Sequence, residues 1–309
     1  MERCLYHPSQ GFYGSGAGIA GRRGDFITSP EVGPLFGEVL ANALDAWWEQ
    51  LGRPDPYRVI DVWSGPGTLT KVLNQAPGIS APARQIVGVD RALSDTVDDD
   101  QYRGAVVVAN ELLDNMPFRI VERSGSDQWH EVYVDWSQGT PTESMVRLVA
   151  QPDGLHIPEH TRAPIHQQAH DWVRSILERG AAKILVFDYG VLSTFDLAAR
   201  GGWLRTYRRH ERQADPYNQP GAWDITTDIG FDQLPTPTQI TTQADFLNHW
   251  GASELLAEGK AYWQAHASAP DLKAFKMRSR ASEYLALTDP DGLGSWLAAT
   301  WTNDTGLNP

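Results

Sequence analysis

Runs of consecutive apolar residues alternate along the chain with stretches in which apolar residues recur at helical spacing. Strands that are covered on both faces show unbroken apolar runs, whereas half-exposed strands alternate. The pattern therefore predicts a mostly parallel sheet with helices on both faces, the doubly wound class of α/β fold. The predicted strands are residues 57–62, 86–90, 105–109 and 182–187.

Helical spacing is clearest near the two ends of the chain. From Val32 to Trp47 the apolar residues fall on one face of a helix, with Ser29 predicted as its N-cap and Pro30 in its first turn. Gly52 is expected to end this helix. Further helices are predicted over 244–250, 253–266 and 271–287, followed by a last strand over 295–301.

The region between the third and fourth strands has a different pattern. Short strands with Gly and Ser turns are predicted over 118–122, 129–136 and 144–150, followed by a helix over 164–177. A long polar stretch over 206–235 shows little periodicity and is expected to be a lid loop. We expect one domain over 1–309, made of an N-terminal segment (1–52), a core (53–117 and 164–190), a β insertion (118–163), a lid (191–250) and C-terminal helices with the last strand (251–309).

The charge balance narrows the classes of partner. The chain has 26 Lys and Arg residues against 39 Asp and Glu residues, a net charge of −13. Such an acidic chain is a poor candidate for binding nucleic acid or an anionic membrane, because both depend on neutralising phosphate charge. No apolar run approaches the roughly 20 residues of a membrane span, and the polar first residues do not resemble a signal peptide, so we expect a cytoplasmic protein.

Cysteine and histidine usage limits the metal and redox chemistry. The single cysteine, Cys4, excludes an intramolecular disulfide and a Cys-based zinc site. The nine His residues show no metal-ligand spacing. We therefore expect no metal site.

Polar side chains follow the predicted strands at their carboxyl ends, where open parallel sheets bind ligands. Asp61 ends the first strand and leads into a Gly65-Pro66-Gly67 loop, whose glycines let a ligand approach the backbone at a helix N-terminus. Asp90 lies 23 residues after Gly67, a spacing that suits a carboxylate binding both hydroxyls of a ribose. This combination predicts a cofactor that contains a nucleoside.

The loop also indicates which nucleoside cofactor is favoured. A dinucleotide fingerprint needs a third glycine for close packing of helix and strand, and Thr70 stands at that position. The carboxylate of Asp61 suits the cationic methionine end of S-adenosylmethionine. The sequence therefore favours S-adenosylmethionine over NAD, and a nicotinamide oxidoreductase is disfavoured.

Several motifs along the chain are long and unusual. They are Tyr6-His7-Pro8 with Gly11-Phe12-Tyr13, Gly24 to Glu31 (GDFITSPE), Gly65 to Leu69 (GPGTL), Val89-Asp90-Arg91, Asn110 to Pro117 (NELLDNMP), Asp188-Tyr189-Gly190, Leu204 to Tyr207 (LRTY) and Asp224-Ile225-Thr226. Through these motifs the chain resembles the MidA/NDUFAF7 family of S-adenosylmethionine-dependent methyltransferases. Its overall sequence is similar to an actinobacterial branch of that family.

The resemblance implies a class I methyltransferase fold, which is Rossmann-like. In that fold a seven-stranded, mostly parallel sheet ends in an antiparallel strand, and inserted elements form a substrate cleft. The mitochondrial member of the family is known as a protein arginine methyltransferase that acts on a respiratory complex I subunit. The resemblance thus implies S-adenosyl-L-methionine as cofactor and a protein as a candidate acceptor.

Two positions depart from the family pattern. The family loop normally reads Gly-x-Gly-x-Gly, and its first position is Trp63 in this chain. After Asp224-Ile225-Thr226, better-known members continue Ala-His-Val-Asp-Phe, whereas Asp228 replaces the histidine here. An indole at Trp63 either fills the cofactor space or points elsewhere, and the lost histidine removes a side chain that could act on a substrate.

We assign candidate roles to the polar residues on this basis. Glu111, Asp114 and Asp188 are the catalytic candidates, because methylating a guanidinium needs carboxylates that hold its charge and orient a nitrogen lone pair. His210 and Asp224 are lid candidates. The alternatives are strand-end capping, helix capping and a solvated loop. The cofactor-binding candidates are Thr28, Ser29, Pro30, Asp61, Ser64, Gly65, Gly67, Asp90 and Asn110.

The leading hypothesis is a methyltransferase that N-methylates a protein side chain, with arginine as a candidate. A second hypothesis keeps the cofactor and replaces the acceptor by a small molecule. A third is a binding or assembly protein that has kept the fold without transferring methyl groups, which Trp63 and Asp228 support.

Overall fold

The structure, a computed structural model, describes residues 1–15, 28–89, 98–126, 128–136, 141–208, 211–213 and 215–303. The helices are α1 (Glu2–Tyr6), α2 (Ser29–Val32), α3 (Pro34–Gln50), α4 (Thr68–Gln75), α5 (Asp99–Tyr102), α6 (Gln167–Glu178), α7 (Thr194–Arg200), α8 (Gln243–His249), α9 (Ala252–His266) and α10 (Leu272–Leu287). The strands are β1 (Tyr57–Val62), β2 (Arg84–Val89), β3 (Val106–Asn110), β4 (Arg119–Gly125), β5 (Gln128–Asp135), β6 (Thr142–Arg147), β7 (Thr161–Ile165), β8 (Lys183–Asp188), β9 (Gly190–Val191), β10 (Leu204–Arg208), β11 (Glu211–Gln213), β12 (Asp224–Thr227), β13 (Ile229–Gly230), β14 (Gln239–Thr242) and β15 (Leu297–Thr302).

The chain divides into two compact units, each assembled from separate stretches of sequence. The sheet unit comprises Ile27–Leu112, Ile176–Phe187 and Pro237–Pro309. The insertion unit comprises Met1–Phe26, Leu113–Ser175 and Asp188–Thr236. The single domain expected from the sequence stays a prediction.

The sheet unit is built on a mixed sheet with the strand order β14-β15-β8-β3-β1-β2. Strands β2, β1, β3 and β8 are parallel, and β14 pairs with β15 in the antiparallel direction. Strands β1, β3 and β8 are buried along almost their whole length, as their unbroken apolar runs predict. Helix α3 packs one apolar face on this sheet, where Phe36 meets Phe187 edge to face.

The α/β class is confirmed, but the prediction of seven strands is not. The described residues contribute six strands to this sheet, and β2 is its edge. Val87 on β2 is more than a third exposed, so this strand is not covered on both faces as its apolar run suggested. The described chain resumes after it at the acidic run Asp98 to Asp100, which begins the short helix α5 (Asp99–Tyr102), in keeping with the rarity of aspartate in strands.

The start of the first long helix differs from the prediction. The structure has a short helix α2 beginning at Ser29, with Thr28 in the N-cap position, and then a break at Gly33 before α3. Ser29 is therefore not the N-cap. The Glu283 carboxylate accepts a hydrogen bond from the backbone N–H of Leu35 at 2.9 Å and supplies the acceptor for the first turn of α3.

The insertion unit contains a four-stranded antiparallel sheet with the order β6-β5-β4-β7. Its core includes Val121, Trp129, Ile157 and Ala163. Strand β7 was not predicted, and helix α6 begins three residues later than expected. Proline at position 164 belongs to β7, which is an edge strand that pairs only with β4, and edge strands tolerate proline.

The polar stretch after residue 206 is not the loop that was expected. Strand β10 pairs with β11 and with β12 in antiparallel fashion. These strands are short and carry many polar residues, so they show no hydrophobic periodicity. Thr206 and Thr226 are buried, and Asp224 lies on β12 with 3% exposure and not in a solvated loop. In the part of the chain described here, no helix combines the length and apolar character that crossing a membrane requires.

Candidate active site

The loop after β1 has a backbone that favours glycine at three positions. Gly65 has a φ of 49° and Gly67 a φ of 71°, and both lie in the left-handed region. Trp63 has a φ of 64°, which is uncommon for a bulky residue, and it stands where the family normally has glycine. The N–H groups of Trp63 and Ser64 both donate to the carbonyl oxygen of Val89, at 2.7 and 3.1 Å, and tie the loop to β2.

Asp61 lies one residue before the end of β1 and is 2% exposed. Burial raises the pKa of its carboxyl from 3.8 to about 6, while hydrogen bonds from the hydroxyl and backbone of Thr70 oppose the rise. The Thr70 hydroxyl donates to Oδ2 of Asp61 at 2.6 Å. A buried carboxylate with one hydroxyl partner suits a cationic ligand, which would stabilise its charged form.

A small residue on the next strand gives these side chains room. Gly88 is the register partner of Asp61 on β2. A Cβ atom at Gly88 would lie 3.0 Å from Oγ1 of Thr70 and 3.1 Å from Oγ of Ser64. The hydroxyl groups of Ser64 and Thr70 therefore lie directly against this glycine.

Two of the sequence motifs meet beside the loop. The Glu31 carboxylate on α2 accepts a hydrogen bond from the hydroxyl of Thr68, the first residue of α4. Thr28 and Pro30 are half-buried, whereas Ser29 is fully buried and donates its hydroxyl proton to Oε1 of Gln243 at 2.9 Å. Cofactor contact by Thr28, Ser29 and Pro30 stays a prediction, and the hydroxyl of Ser29 already has a partner within the protein.

The end of β3 carries an amide and a carboxylate, each less than a tenth exposed. Nδ2 of Asn110 donates to Oε1 of Glu111 at 2.9 Å, while Oδ1 of Asn110 is buried and has no hydrogen-bond partner among the residues that the structure describes. Glu111 has a φ of 54°. Left-handed backbone at non-glycine residues is concentrated at functional sites, and here Trp63 and Glu111 follow the adjacent strands β1 and β3.

The sheet unit thus brings together Asp61, Ser64, Gly65 and Gly67 through β1 and its loop, with Asn110 and Glu111 at the end of the neighbouring β3. Asp90 and His210 lie outside the described residues. Sequence reasoning did not assign a role to Gly88, it placed Glu31 only at a helix N-terminus, and it used Thr70 only as evidence against a dinucleotide site. The nine-residue spacing from Asp61, which places Thr70 on the helix after the loop, was the available signal for Thr70.

Asp188 in the insertion unit is fully buried and bonded to backbone groups. Its Oδ2 accepts hydrogen bonds from the N–H groups of Leu113 and Asp114, at 2.9 and 3.2 Å, and its Oδ1 accepts from Tyr189 at 2.9 Å. These bonds hold the 3₁₀ turn Leu113–Asn115. The geometry supports a structural role for Asp188, and its catalytic role stays a prediction.

Asp114 lies within a buried group of hydroxyl donors. The hydroxyls of Tyr189 and Thr226 both contact its Oδ2, while its Oδ1 is buried without a hydrogen-bond partner in the described residues. Burial raises the pKa of the Asp114 carboxyl above its ordinary value, against the opposing effect of those hydrogen bonds. Asp114 and Glu111 belong to different units, and the catalytic role expected of both stays a prediction.

A second buried carboxylate in the insertion unit is that of Asp224, which the sequence made a lid candidate. Oδ1 of Asp224 accepts hydrogen bonds from the hydroxyl of Tyr13 and from Nδ2 of Asn115, both at 3.0 Å. Burial raises the pKa of Asp224 from 3.8 to about 7, and the nearby charge of Asp114 adds to the rise. The hydroxyl of Tyr6 donates to the carbonyl oxygen of Asn115 at 2.8 Å. The motifs around Tyr13, Asn115 and Asp224 therefore share one buried polar network.

Asp228 stands where the resemblance described above implies a histidine, and it forms two ion pairs. Its two carboxylate oxygens pair with Arg200 and Arg205, and the guanidinium of Arg205 lies 4.5 Å from the ring centroid of Tyr189. Both oxygens therefore have cationic partners, and the geometry gives Asp228 a structural role. Among the described residues, no group of three or more His, Cys, Asp or Glu side chains has an arrangement that could hold a metal ion.

Comparisons with known proteins find a family model and relatives that are described as methyltransferases. A family model described as "Putative S-adenosyl-L-methionine-dependent methyltransferase" matches residues 92–249, about half of the chain. A Drosophila melanogaster protein named "Protein arginine methyltransferase NDUFAF7 homolog, mitochondrial" is 24% identical over 286 residues, covering 75% of this chain and 63% of that protein. A Caenorhabditis elegans protein of the same name is also 24% identical, over 76% of this chain and 66% of its own length. This chain therefore spans less than two thirds of the length of either relative.

A solved structure shows the same fold. A Burkholderia thailandensis protein, crystallised with bound S-adenosyl-homocysteine, matches with a TM-score of 0.75 at 23% identity. The match covers 100% of this chain and 87% of that one. At this identity the likeness concerns the fold.

Proposed function

Because this chain belongs to the family described as "Putative S-adenosyl-L-methionine-dependent methyltransferase", we propose that it transfers the methyl group of S-adenosyl-L-methionine to a nitrogen atom of a protein side chain. The family and its cofactor are those predicted from the motifs, and both predictions are confirmed at the level of the family. We favour arginine as the acceptor, since the relatives in fly and nematode are named protein arginine methyltransferases. Their names also place them in mitochondria, so a cytoplasmic location stays a prediction.

The residues at the carboxyl ends of β1 and β3 fit the cofactor. Asp61 is a buried carboxylate that would hold the ammonium group of the methionine end. Oδ1 of Asn110 is a buried acceptor without a partner in the described part of the chain, and the cofactor has hydroxyl and amino groups that can donate to it. The left-handed loop at Gly65 and Gly67 lets a ligand approach the backbone. The pairing of Asp61 with this loop is the observation that carries the proposal.

The bound sulfonium supplies an electrophilic methyl group. Glu111 is the carboxylate of the sheet unit that we propose for the acceptor, because it is 8% exposed and held by Asn110 at the end of β3. A carboxylate there would hold the positive charge of a guanidinium and turn one nitrogen lone pair toward the methyl carbon. As the N–C bond forms and the S–C bond breaks, Glu111 would take up the proton that leaves the nitrogen.

Calorimetric titration with S-adenosyl-homocysteine and S-adenosylmethionine tests the cofactor site. We expect micromolar binding to the wild type and a loss of at least tenfold in Asp61→Ala, because an interaction between charged groups is removed. Glu254→Ala, on the exposed side of α9, is the control and should bind as the wild type does. Equal affinity of Asp61→Ala and wild type would contradict the proposed site.

The non-catalytic alternative has one observation in its favour, the bulky left-handed residue Trp63. Trp63→Gly separates the two hypotheses. If the wild type binds no cofactor and Trp63→Gly binds it, the indole occupies the cofactor space and the binding-protein hypothesis is favoured. If both bind, the indole is compatible with the enzyme, and methylation of arginine-containing proteins can be followed by mass spectrometry.

A further inference from the structure

Thr70 lies in the first turn of α4 and makes two hydrogen bonds to one carboxylate. Its hydroxyl donates to Oδ2 of Asp61 at 2.6 Å, and its backbone also bonds to the Asp61 carboxylate. Asp61 is almost fully buried, so water does not compete for these bonds. In the part of the chain that the structure describes, burial and these two bonds are the influences that act on the charge of Asp61.

We propose that Thr70 is a positioning residue that orients the Asp61 carboxylate and stabilises its charge for the cationic end of the cofactor. The proposal rests on the proposed function, because it assigns Thr70 a role in that cofactor site. A hydroxyl that donates to a carboxylate stabilises the charged form, and its short distance fixes the direction of the remaining lone pairs. Thr70 stands where the dinucleotide fingerprint has a third glycine. Its contribution to the site of a different cofactor, S-adenosylmethionine, explains the threonine.

Gly88 is part of the same arrangement. A Cβ atom at this position would lie 3.0 Å from Oγ1 of Thr70, closer than most real contacts of that kind. A side chain at position 88 on the facing strand β2 would require the Thr70 hydroxyl to move by a few tenths of an ångström. We therefore expect Gly88→Ala to displace Thr70 from Asp61 without touching the carboxylate itself.

The test compares Thr70→Val with Thr70→Ser by calorimetric titration of S-adenosyl-homocysteine from pH 5 to pH 8.5. Valine has the shape of threonine without the hydroxyl, so we expect affinity at pH 7.5 to fall about tenfold, the effect of losing one hydrogen bond to a charged group. Without that donor the carboxylate protonates more easily, so the pH midpoint of binding should move upward. Serine keeps the hydroxyl and should restore both affinity and midpoint.

Two further variants separate a local effect from general damage to the fold. Gly88→Ala should shift the pH midpoint in the same direction as Thr70→Val. Thr288→Val removes a hydroxyl that donates to the carbonyl oxygen of Tyr284 at 2.7 Å in the same unit, and it should bind as the wild type does. Circular dichroism spectra of all variants establish that each is folded.

The possible failures are distinguishable. If the wild type binds S-adenosyl-homocysteine and Thr70→Val shows the same affinity and the same pH midpoint, Thr70 does not position Asp61, while the proposed function stands. A shift in Thr70→Val that serine does not correct would also overturn the proposal. If the wild type shows no binding at any pH, the proposed function fails and the role of Thr70 fails with it.

Discussion

Asp61 and Asp224 are carboxylic acids buried in different units, and burial raises the pKa of each. In the unfolded chain both ionise near pH 4. Between that pH and the folded-state pKa, the folded protein holds a proton that the unfolded chain has released. Stability therefore falls as pH rises through this window.

Asp61→Asn should stabilise the protein above pH 6 and weaken cofactor binding. Asparagine keeps an oxygen for the Thr70 hydroxyl but carries no charge to desolvate. A pKa shift from 3.8 to about 6 corresponds to at most about 3 kcal/mol of folding stability. The wild type has this stability below pH 4 and loses it by pH 7. Urea unfolding at pH 4.5 and pH 8 should show the gain of the variant growing with pH. A gain that is equal at both pH values would mean that Asp61 is not held as a buried carboxyl.

Asp224→Asn should show the same pattern over a higher pH range. The pKa of Asp224 is raised to about 7, so the cost of its charge is complete only above that pH. A shift from 3.8 to about 7 corresponds to at most about 4 kcal/mol, so we expect the gain at pH 8.5 to exceed the gain at pH 5 by about 2 to 3 kcal/mol, measured by thermal unfolding in matched buffers. The exposed Asp291→Asn is the control, and it should change stability by less than about 0.5 kcal/mol. A loss of stability at both pH values would instead show that the hydrogen bonds of Asp224 outweigh its burial.

At the scale of elements, helix α3 and the loop before α4 are held by residues distant in sequence. The first turn of α3 takes its acceptor from Glu283 on α10, and Gly33 leaves the space that this carboxylate occupies. A negative side chain at a helix N-terminus also interacts favourably with the helix dipole. Helix α2 is joined to α4 through Glu31 and Thr68. The packing of α10 therefore supports the elements that carry the candidate cofactor site.

Glu283→Ala should destabilise the protein by about 1 to 2 kcal/mol, because the buried N–H of Leu35 loses its acceptor. Guanidinium unfolding followed by circular dichroism measures the change. Glu254→Ala, which is exposed on α9, should change stability by less than about 0.5 kcal/mol. Equal stability of Glu283→Ala and wild type would show that water replaces the carboxylate without cost.

At the scale of the whole molecule, two units divide the motifs between them. The loop motif, Asp61, Asn110 and Glu111 belong to the sheet unit, while Tyr13, Asp114, Asp188 and Asp224 belong to the insertion unit. The chain leaves the sheet unit directly after Glu111 and Leu112, so one continuous motif, NELLDNMP, contributes to both units. We propose Asp61 for cofactor binding and Glu111 for methyl transfer, and both belong to the sheet unit. Variants in the sheet unit alone can therefore separate the two functions.

Glu111→Gln should retain cofactor binding and lose methyl transfer. Glutamine keeps an oxygen that can accept from Asn110, so we expect affinity for S-adenosyl-homocysteine within about threefold of the wild type. Removing the carboxylate that accepts the proton should slow transfer about 100-fold or more. Transfer of labelled methyl groups to an acceptor protein gives the rate, with Glu254→Gln as the control. A wild-type rate in Glu111→Gln would exclude Glu111 as the catalytic carboxylate.

Much of the fold could be predicted because it depends on local patterns. Strands β1, β3 and β8 were found from their apolar runs, and α8, α9 and α10 from helical spacing, each within two residues of the observed bounds. The glycines at 65 and 67 were recognised as a loop that lets a ligand approach the backbone before a helix, and both have the left-handed backbone that glycine permits. These features depend on steric limits and burial that neighbouring residues impose, so the sequence by itself determined them.

Other features were decided only by the tertiary structure, because they depend on residues far apart in the chain. The polar strands β10 and β12 have no periodic signal, and they form because each satisfies the other's backbone hydrogen bonds. Ser29 is bonded to Gln243, Leu35 to Glu283 and Thr226 to Asp114, pairs that no local pattern indicates. Burial then sets the charge of Asp61, since the pKa of a carboxyl depends on how much water the completed fold leaves around it.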